Sequence, residues 1–311
     1  MAGFTMTQWL FILAFGTLTN AAHTMPCIST HDFRQNFSRV MVRNPLYSPR
    51  SPRDTIQYYL YHGEPAVRKV LHLSRVPRQR ALREIATMQL LQAVPSVVRY
   101  HTCVDHGSRI SIFMEGLGGN LHDERAYFHT LPWPQKLSLL LDVTLGFLHI
   151  HKLGYVHGDI KAPNVAFTVG RDRLKIIDFG LTVPTLYPLD GYSPFYVPPE
   201  RILLQDSRAL PSKDVWSWGV TVLEALMPHL AARLSYAYGN VEVSVIVPEM
   251  LPEVRQHLRD ESDANSLPLH AVMRGWLRAQ PENRPSMADI ARGLRALLYF
   301  LQTGVLIGYT D

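Results

Sequence analysis

Four side chains in one short part of the chain are suited to phosphoryl transfer. Asp159, Lys161 and Asn164 lie close together, and Asp178 follows in the triplet Asp178-Phe179-Gly180. Transfer of a phosphoryl group requires a carboxylate that orients the attacking hydroxyl, a cation that neutralises charge, and oxygen ligands for magnesium. The residue types and their order therefore make this stretch the candidate centre of a phosphoryl-transfer site.

The segment His157-Gly158-Asp159-Ile160-Lys161-Ala162-Pro163-Asn164 and the later Asp178-Phe179-Gly180 resemble the catalytic loop and metal-binding turn of the protein kinase family. The resemblance implies that Asp159 is the catalytic base and that Lys161 contacts the γ-phosphate. It also implies that Asn164 and Asp178 hold magnesium, which prefers hard oxygen ligands. His157 is expected to have a structural role.

Gly158 departs from the family pattern, which usually has arginine at this position to pair with a phosphorylated activation segment. Its presence predicts activity that does not depend on phosphorylation of that segment. The His-Gly-Asp-Ile-Lys text also resembles the vaccinia-related kinases, and a viral kinase is one alternative. The segment Pro198-Pro199-Glu200 is more similar to other kinases, so the resemblance does not assign the subgroup.

Two further segments resemble the nucleotide site of the family. Lys69 in Ala66-Val67-Arg68-Lys69 resembles the strand lysine that holds the α- and β-phosphates, and Glu84 in the next helix is its expected partner. Strand alternation favours Lys69 over Arg68, because it puts Val67 and Lys69 on one face. Met114 and Glu115 resemble the hinge, where backbone groups bind adenine and Met114 is the gatekeeper.

Three later motifs appear in family order without catalytic chemistry. Ser193 to Glu200 resembles the end of the activation segment, and Glu200 is expected to form a buried ion pair with Arg284. Asp214, in Asp214-Val215-Trp216-Ser217-Trp218-Gly219, is expected to brace the catalytic loop. Lys161 and Ser193 favour serine or threonine over tyrosine as the acceptor.

The glycine-rich phosphate loop of the family is missing. The corresponding window, residues 47–56, contains no glycine and has two prolines, which lack amide donors. Glycine lets the backbone approach phosphates closely. Either Arg50 and Arg53 supply positive charge instead, or nucleotide binding is weak.

Periodicity predicts a small β-rich lobe followed by a helical lobe. Strands are predicted at 56–61, 66–73, 97–104 and 110–114, with a helix opened by Pro77 between the second and third. Helices are predicted at 134–151, 214–227, 267–277 and 287–301, after the glycine-rich joint 116–119. The kinase resemblance implies an α+β bilobal fold with an N-terminal extension over 1–45, a small lobe over 46–115 and a large lobe over 116–311.

Composition excludes several classes of protein. A hydrophobic fraction of 47% and a charged fraction of 18% indicate a globular chain. The net charge of +5 is modest, and without a long basic run it does not argue for nucleic-acid binding. The two cysteines, Cys27 and Cys103, predict neither a disulfide framework nor a zinc site, and Cys103 is expected in the core.

The N-terminus leaves two alternatives open for the location of the protein. The apolar run 9–16, followed by Thr19 and Ala21, has the length of a signal-peptide core, but no basic residue precedes it. The favoured interpretation is a segment packed on the small lobe, or upstream residues of little structural role, in an intracellular protein of the cytoplasm or nucleus. A secretory location is the alternative, and only then would the sequon at Asn36 matter.

The sequence therefore predicts an ATP- and Mg²⁺-dependent protein kinase that acts on serine or threonine side chains of protein substrates. The alternative is a pseudokinase that binds and regulates a partner. The complete set of catalytic residue types favours the first hypothesis, and the missing glycines favour the second. Membrane association is not expected, and the oligomeric state is left open.

Overall fold

The computed structural model describes residues 27, 28, 30, 41–43, 56–226, 273 and 275–305. The chain divides into two compact units, the first comprising residues 1–92 and 99–116 and the second comprising residues 93–98 and 117–311. The first unit is built on a sheet and the second is mostly helical, so the fold is of the α+β class.

The first unit is a five-stranded antiparallel sheet with the strand order β1-β2-β3-β5-β4. Its strands are rich in β-branched and aromatic residues, which favour the pleated backbone. The strands are β1 Met41–Arg43, β2 Ile56–Tyr61, β3 Glu64–His72, β4 Tyr100–Asp105 and β5 Arg109–Glu115. All four strands predicted from residue 56 onward are present. The bounds of β2 are as predicted, and those of the other three differ.

The predicted turn before β3 is shorter than expected. The pairing of Tyr61 with Glu64 leaves only His62 and Gly63 in the turn, with φ values of 51° and 82°. Two positive φ values match the right-handed twist of a two-residue hairpin, and glycine adopts them readily. The predicted strands 56–61 and 66–73 left residues 62–65 between them, but Glu64 and Pro65 belong to β3.

Helix α1, Arg78–Leu90, confirms the predicted helix after Pro77. Ile85 and Met88 are buried on one face, and Glu84 is buried beside them at 3% exposure. A buried carboxylate requires a partner, because an unpaired charge is costly to remove from water. The predicted partner, Lys69, is described with the candidate active site.

The strand predicted from Val97 begins only at Tyr100. Val97 and Val98 belong to the second unit, where the Val98 amide donates to the carbonyl of Ile176 over 3.0 Å. Both valines are buried there. Apolar β-branched residues were predicted to continue the strand, but their burial against another strand determines where they lie.

Residues assigned to an irregular extension contribute to the sheet. Strand β1 pairs with β2, and Ile28 forms a parallel bridge with Val104 on the edge strand β4. The Ile28 amide donates to the carbonyl of Cys103 over 2.9 Å. This bridge brings Cys27 beside Cys103.

Cys27 and Cys103 form a disulfide with a Cα–Cα distance of 4.7 Å. The prediction of no disulfide was wrong, because the two cysteines are 76 positions apart and only the bridge at Ile28 brings them together. The predicted core position of Cys103 is confirmed, since the residue is 1% exposed.

We expect the replacement Cys27→Ala to lower the free energy of unfolding by about 4 kcal/mol, the chain-entropy value for a loop of this length. The half-buried Cys27 is changed in preference to Cys103, because that leaves the core intact. Urea unfolding with and without reductant measures the effect, and reductant should not destabilise the variant further. Alkylation of both thiols in the unreduced, denatured wild-type protein would show that the bond is not formed.

The second unit contains five helices among its described residues. They are α2 Arg125–Thr130, α3 Trp133–Lys152, α4 Pro199–Leu203, α5 Pro211–Leu226 and α6 Met287–Thr303. The unit also contains two short antiparallel strand pairs. One pairs β6 Tyr155–Val156 with β9 Val183–Pro184, and the other pairs β7 Val165–Phe167 with β8 Leu174–Ile176.

Helices α3 and α5 form the centre of this unit. The apolar periodicity predicts one buried face on α3, and of its residues Leu137, Leu140 and Leu141 are buried. Leu145 and Leu148 are only half-buried. The buried indole of Trp218 on α5 donates to the Thr144 hydroxyl of α3 over 3.0 Å. The two helices thereby fix the position of the loop that follows α3.

Helix α6 packs on α3 and confirms the predicted helix at 287–301. It starts with a capping box between Ser286 and Asp289 and ends at Gly304, whose φ is 71°. Most of the helix predicted at 267–277 lies outside the described residues. Within the described part of the chain, we find no helix with both the length and the hydropathy needed to span a bilayer.

Candidate active site

The catalytic loop of the second unit is held by a buried carboxylate. Asp214, at the start of α5, accepts hydrogen bonds from the His157 amide at 2.8 Å and the Gly158 amide at 3.0 Å. His151 Nε2 lies 2.9 Å from the same carboxylate. The predicted bracing role of Asp214 is confirmed by these contacts.

His157 is buried beneath this loop as a neutral side chain. Burial lowers the pKa of His157, although the carboxylates of Asp214, Asp159 and Asp178 oppose that shift. The Asp159 amide donates to His157 Nδ1 over 3.3 Å. An imidazole that accepts at Nδ1 orients the backbone at Asp159, which agrees with the structural role expected for His157.

Asp159 is the centre of a hydrogen-bonded cluster. Its Oδ2 accepts from Lys161 Nζ at 2.7 Å and from Asn164 Nδ2 at 3.1 Å. Its Oδ1 accepts from the Ser193 hydroxyl at 2.7 Å, and that hydroxyl in turn accepts from Lys161 Nζ at 2.9 Å. The structure thus brings together a carboxylate, a cation, an amide and a hydroxyl.

The side chain of Asn164 is oriented by the hydrogen bonds that its amide nitrogen donates to Asp159. Its Nδ2 also donates to the backbone carbonyl of Asp159 at 2.9 Å. Because the NH₂ group is committed to Asp159, the side-chain oxygen is the atom that Asn164 can offer to a cation. The residue therefore fits the ligand role implied by the sequence resemblance.

Asp178 follows Ile177, whose backbone amide is hydrogen-bonded to the catalytic loop. The Ile177 amide donates to the Asn164 carbonyl at 3.0 Å, and Asp178 itself has a φ of 61°. A left-handed backbone at a residue other than glycine is strained and occurs mostly at functional sites. The fully buried Phe179 packs edge-on against His157, with ring centroids 5.3 Å apart, and holds the turn in place.

The first unit contains the predicted lysine–glutamate pair. Lys69 Nζ lies 2.6 Å from Glu84 Oε1, and the glutamate side chain is 4% exposed. Arg68 instead bonds Ser111 through Nε at 3.0 Å and Gln57 through Nη1 at 3.1 Å. The choice of Lys69 over Arg68 is therefore confirmed for this ion pair.

Met114 and Glu115 are the last residues of β5. Met114 is buried and pairs with Val67, and the Glu115 carboxylate accepts from the Arg99 amide at 2.6 Å. Gly116 follows in close contact with Pro65, where a Cβ atom would lie 2.7 Å from the Pro65 carbonyl carbon. These contacts fix the backbone at the end of the strand.

The predicted ion pair between Glu200 and Arg284 is present and buried. Its two parallel hydrogen bonds measure 2.8 and 2.7 Å. Arg284 also donates to three backbone carbonyls, those of Arg278, Ser212 and Ala279. The guanidinium therefore joins the end of the activation segment to α5 and to the chain before α6.

Sequence reasoning missed a second polar cluster near the catalytic loop. The buried carboxylate of Glu224 accepts a hydrogen bond from Tyr196 and contacts Nδ1 of His122. Burial raises the pKa of Tyr196, and the adjacent Glu224 raises it further, so the phenol stays protonated as a donor. No local pattern predicts this cluster, because its members come from three separate elements.

The chain belongs to the protein kinase family. A family model described as a protein kinase domain matches residues 61–293, which is more than half of the chain. The α+β fold, with its small β-rich lobe and larger helical lobe, is accordingly that of a protein kinase.

The individual proteins that the chain resembles are 27–30% identical to it over part of its length. The chain is 30% identical over 163 residues to the probable serine/threonine-protein kinase mkcB of Dictyostelium discoideum, which covers 51% of this chain and 22% of that protein. It is 27% identical over 253 residues to the salt tolerance receptor-like cytoplasmic kinase 1 of Oryza sativa subsp. japonica, covering 72% and 68%. The chain spans only 29% of the length of a second Dictyostelium kinase, mkcF.

Proposed function

We propose that the protein is a serine/threonine kinase that transfers the γ-phosphoryl group of ATP to hydroxyl groups of protein substrates. The observation that carries the proposal is the cluster around Asp159, in which Lys161, Asn164 and Ser193 are all hydrogen-bonded to one carboxylate. A pseudokinase needs the fold, but it does not need this arrangement of side chains.

In the proposed mechanism each residue has one task. Asp159 orients the acceptor hydroxyl and takes its proton, and Lys161 stabilises charge on the transferred group. Ser193, which bridges Asp159 and Lys161, keeps the two at a fixed separation. Lys69, positioned by Glu84, binds the α- and β-phosphates, and the backbone of Met114 and Glu115 binds adenine.

The donor set of the second unit suits magnesium. Asn164 and Asp178 offer hard oxygen atoms, which Mg²⁺ prefers, and the amide nitrogen of Asn164 is already bonded to Asp159. A bound Mg²⁺ ion would neutralise charge on the phosphates. The proposal assigns Asn164 and Asp178 as its protein ligands.

The pseudokinase alternative rests on the missing glycines in the window 47–56. Residues 47–55 of the window lie outside the described residues, and its last residue, Ile56, is the first of β2 and pairs with Lys69. Transfer of radiolabelled phosphate from ATP to a protein or peptide acceptor separates the two hypotheses. Transfer by the wild-type protein but not by Asp159→Asn supports the kinase, and no transfer by either supports the pseudokinase.

We expect the ATP KM to lie at the high end of the usual range of about 1 μM to 1 mM. The window lacks the glycines that let backbone amides approach phosphates closely, and Arg50 and Arg53 are proposed to compensate through bidentate contacts. Replacing both by alanine should raise the KM for ATP severalfold with little change in kcat. Replacing both by lysine should give an intermediate KM, because lysine keeps the charge without the planar fork.

Initial rates over a range of ATP concentrations measure this effect. The variant Arg75→Ala, with an exposed side chain outside the window, is the control for a general loss of positive charge. A low-micromolar KM that the double alanine replacement leaves unchanged would contradict the placement of the phosphate loop.

The compartment and the subgroup also stay proposals. The disulfide between Cys27 and Cys103 favours the secretory alternative over the intracellular location, because cytosolic thiols are kept reduced. Microscopy of the full chain, with its N-terminus untagged, would decide between them. The division into an extension and two lobes and the likeness of the catalytic loop to vaccinia-related kinases remain predictions from the sequence.

A further inference from the structure

The backbone at Gly158 is in close contact with the activation segment, defined here as residues 178–200. Gly158 has a φ of 76°, and a Cβ atom there would lie 2.7 Å from Leu189 Cδ2 and 2.9 Å from the Leu181 carbonyl oxygen. The positive φ is unfavourable for any residue with a side chain, and a Cβ atom here would also press on the Leu181 carbonyl and push the Leu189 side chain aside. The backbone conformation and the Leu181 carbonyl therefore favour glycine, and Leu189 packs directly on it.

Leu189 is buried in a small apolar cluster. It is 7% exposed and packs with three other residues. They are Val156 just before the catalytic loop, Val183 within the activation segment, and Ala209. We call these four residues the Leu189 cluster. Burial of an apolar side chain is favourable, so this contact restrains the part of the segment around the exposed residues Leu186 and Tyr187.

Backbone hydrogen bonds reinforce the cluster. The Leu186 amide donates to Ala209 O, the Ala209 amide to Tyr187 O, and the Leu189 amide to Ser207 O, each at 2.7 Å. These bonds pair the activation segment with the loop before α5 in the manner of a short antiparallel ladder. They involve no side chain that phosphorylation would change.

The two arginines beside this ladder each make a hydrogen bond, while Nε of Arg201 is buried without one among the described residues. Arg201 Nη2 donates to the Leu189 carbonyl at 3.1 Å, and Arg208 Nε bonds the Asp206 carboxylate at 2.9 Å. Thr182, one of the hydroxyls in the segment, is fully buried and donates to the His157 carbonyl at 3.2 Å. The surroundings of the segment are thus organised by apolar and backbone contacts.

We propose that Leu189, seated on Gly158, is a positioning residue that holds the activation segment in its working conformation without a phosphate. The inference rests on the proposed kinase function and extends it to regulation. Leu189 contacts the residue next to Asp159, and four positions later Ser193 bonds the Asp159 carboxylate at 2.7 Å. One apolar contact therefore restrains both sides of the catalytic cluster.

The test compares Leu189→Ala with Leu189→Met and with Leu204→Ala, a control whose side chain is 76% exposed. Leu189→Ala should lower kcat/KM for a peptide acceptor at least about tenfold and leave the KM for ATP within twofold. Leu189→Met should recover most of that loss, because methionine fills a similar volume. The wild-type rate should survive complete dephosphorylation, verified by mass spectrometry.

Hydrogen exchange of the Leu186, Leu189 and Ala209 amides tests the positioning role of Leu189 without an activity assay. Exchange should accelerate at least about tenfold in Leu189→Ala and stay unchanged in Leu204→Ala. If the wild-type protein transfers no phosphate, but hydrogen exchange of these amides is faster in Leu189→Ala, the kinase proposal fails and the positioning role of Leu189 stands. Unchanged exchange in Leu189→Ala, or a wild-type rate that collapses on dephosphorylation and returns on rephosphorylation, would overturn the inference.

Discussion

Asp159→Asn is expected to abolish phosphoryl transfer while the protein remains folded. Asparagine keeps the size of the side chain, but it cannot accept the proton of the acceptor hydroxyl and loses the charge that holds Lys161 at 2.7 Å. Preorganised charge supplies most of the rate in this reaction class, and removal of a single stabilising group costs about 10²–10³-fold or more. Lys69→Met and Asp178→Asn should cause losses of similar size.

Initial rates of phosphoryl transfer to a peptide acceptor test this expectation. Circular dichroism of each variant shows whether it remains folded. The matched control is Asp172→Asn, which makes the same chemical change at an exposed aspartate bonded to Thr168. The control should retain wild-type activity. A rate for Asp159→Asn close to that of the wild-type protein would rule out Asp159 as the base.

The second large effect is expected on stability. Glu200→Ala or Arg284→Ala should each lower the free energy of unfolding by roughly 3–5 kcal/mol, because either change leaves one buried charge without its partner. The arginine side chain is 0% exposed and the glutamate 4%, so water cannot replace the lost contact. A decrease in the melting temperature of roughly 10 °C is the expected observation.

Two further variants show whether the uncompensated charge is the cause. The double replacement Glu200→Leu with Arg284→Met removes both charges, and it should be less destabilising than Arg284→Ala alone. Arg292→Ala removes an arginine whose ion pair with Asp289 is exposed, and such pairs contribute about 0–1 kcal/mol. Melting temperatures of Glu200→Ala and Arg284→Ala that match the wild-type value would contradict the expectation.

Some contacts between residues far apart in the sequence could be predicted, and others could not. Lys69 with Glu84, and Glu200 with Arg284, were predicted because each partner lies in its own recognisable motif. Cys27 with Cys103 was not, since neither cysteine lies in a motif and their contact depends on the bridge of Ile28 to Val104. The cluster of Tyr196, Glu224 and His122 was missed because Glu224 and His122 lie outside the recognised motifs.

The amino-acid sequence by itself determined the family and the class of fold, and it predicted the candidate catalytic residues. Asp159, Lys161, Asn164 and Asp178 lie in two short segments whose spacing is local, and apolar periodicity is a local property of α3 and α6. Only the tertiary structure decided why Gly158 is a glycine. Its backbone faces Leu189, and that contact results from the packing of segments far apart in the chain, which no local pattern encodes.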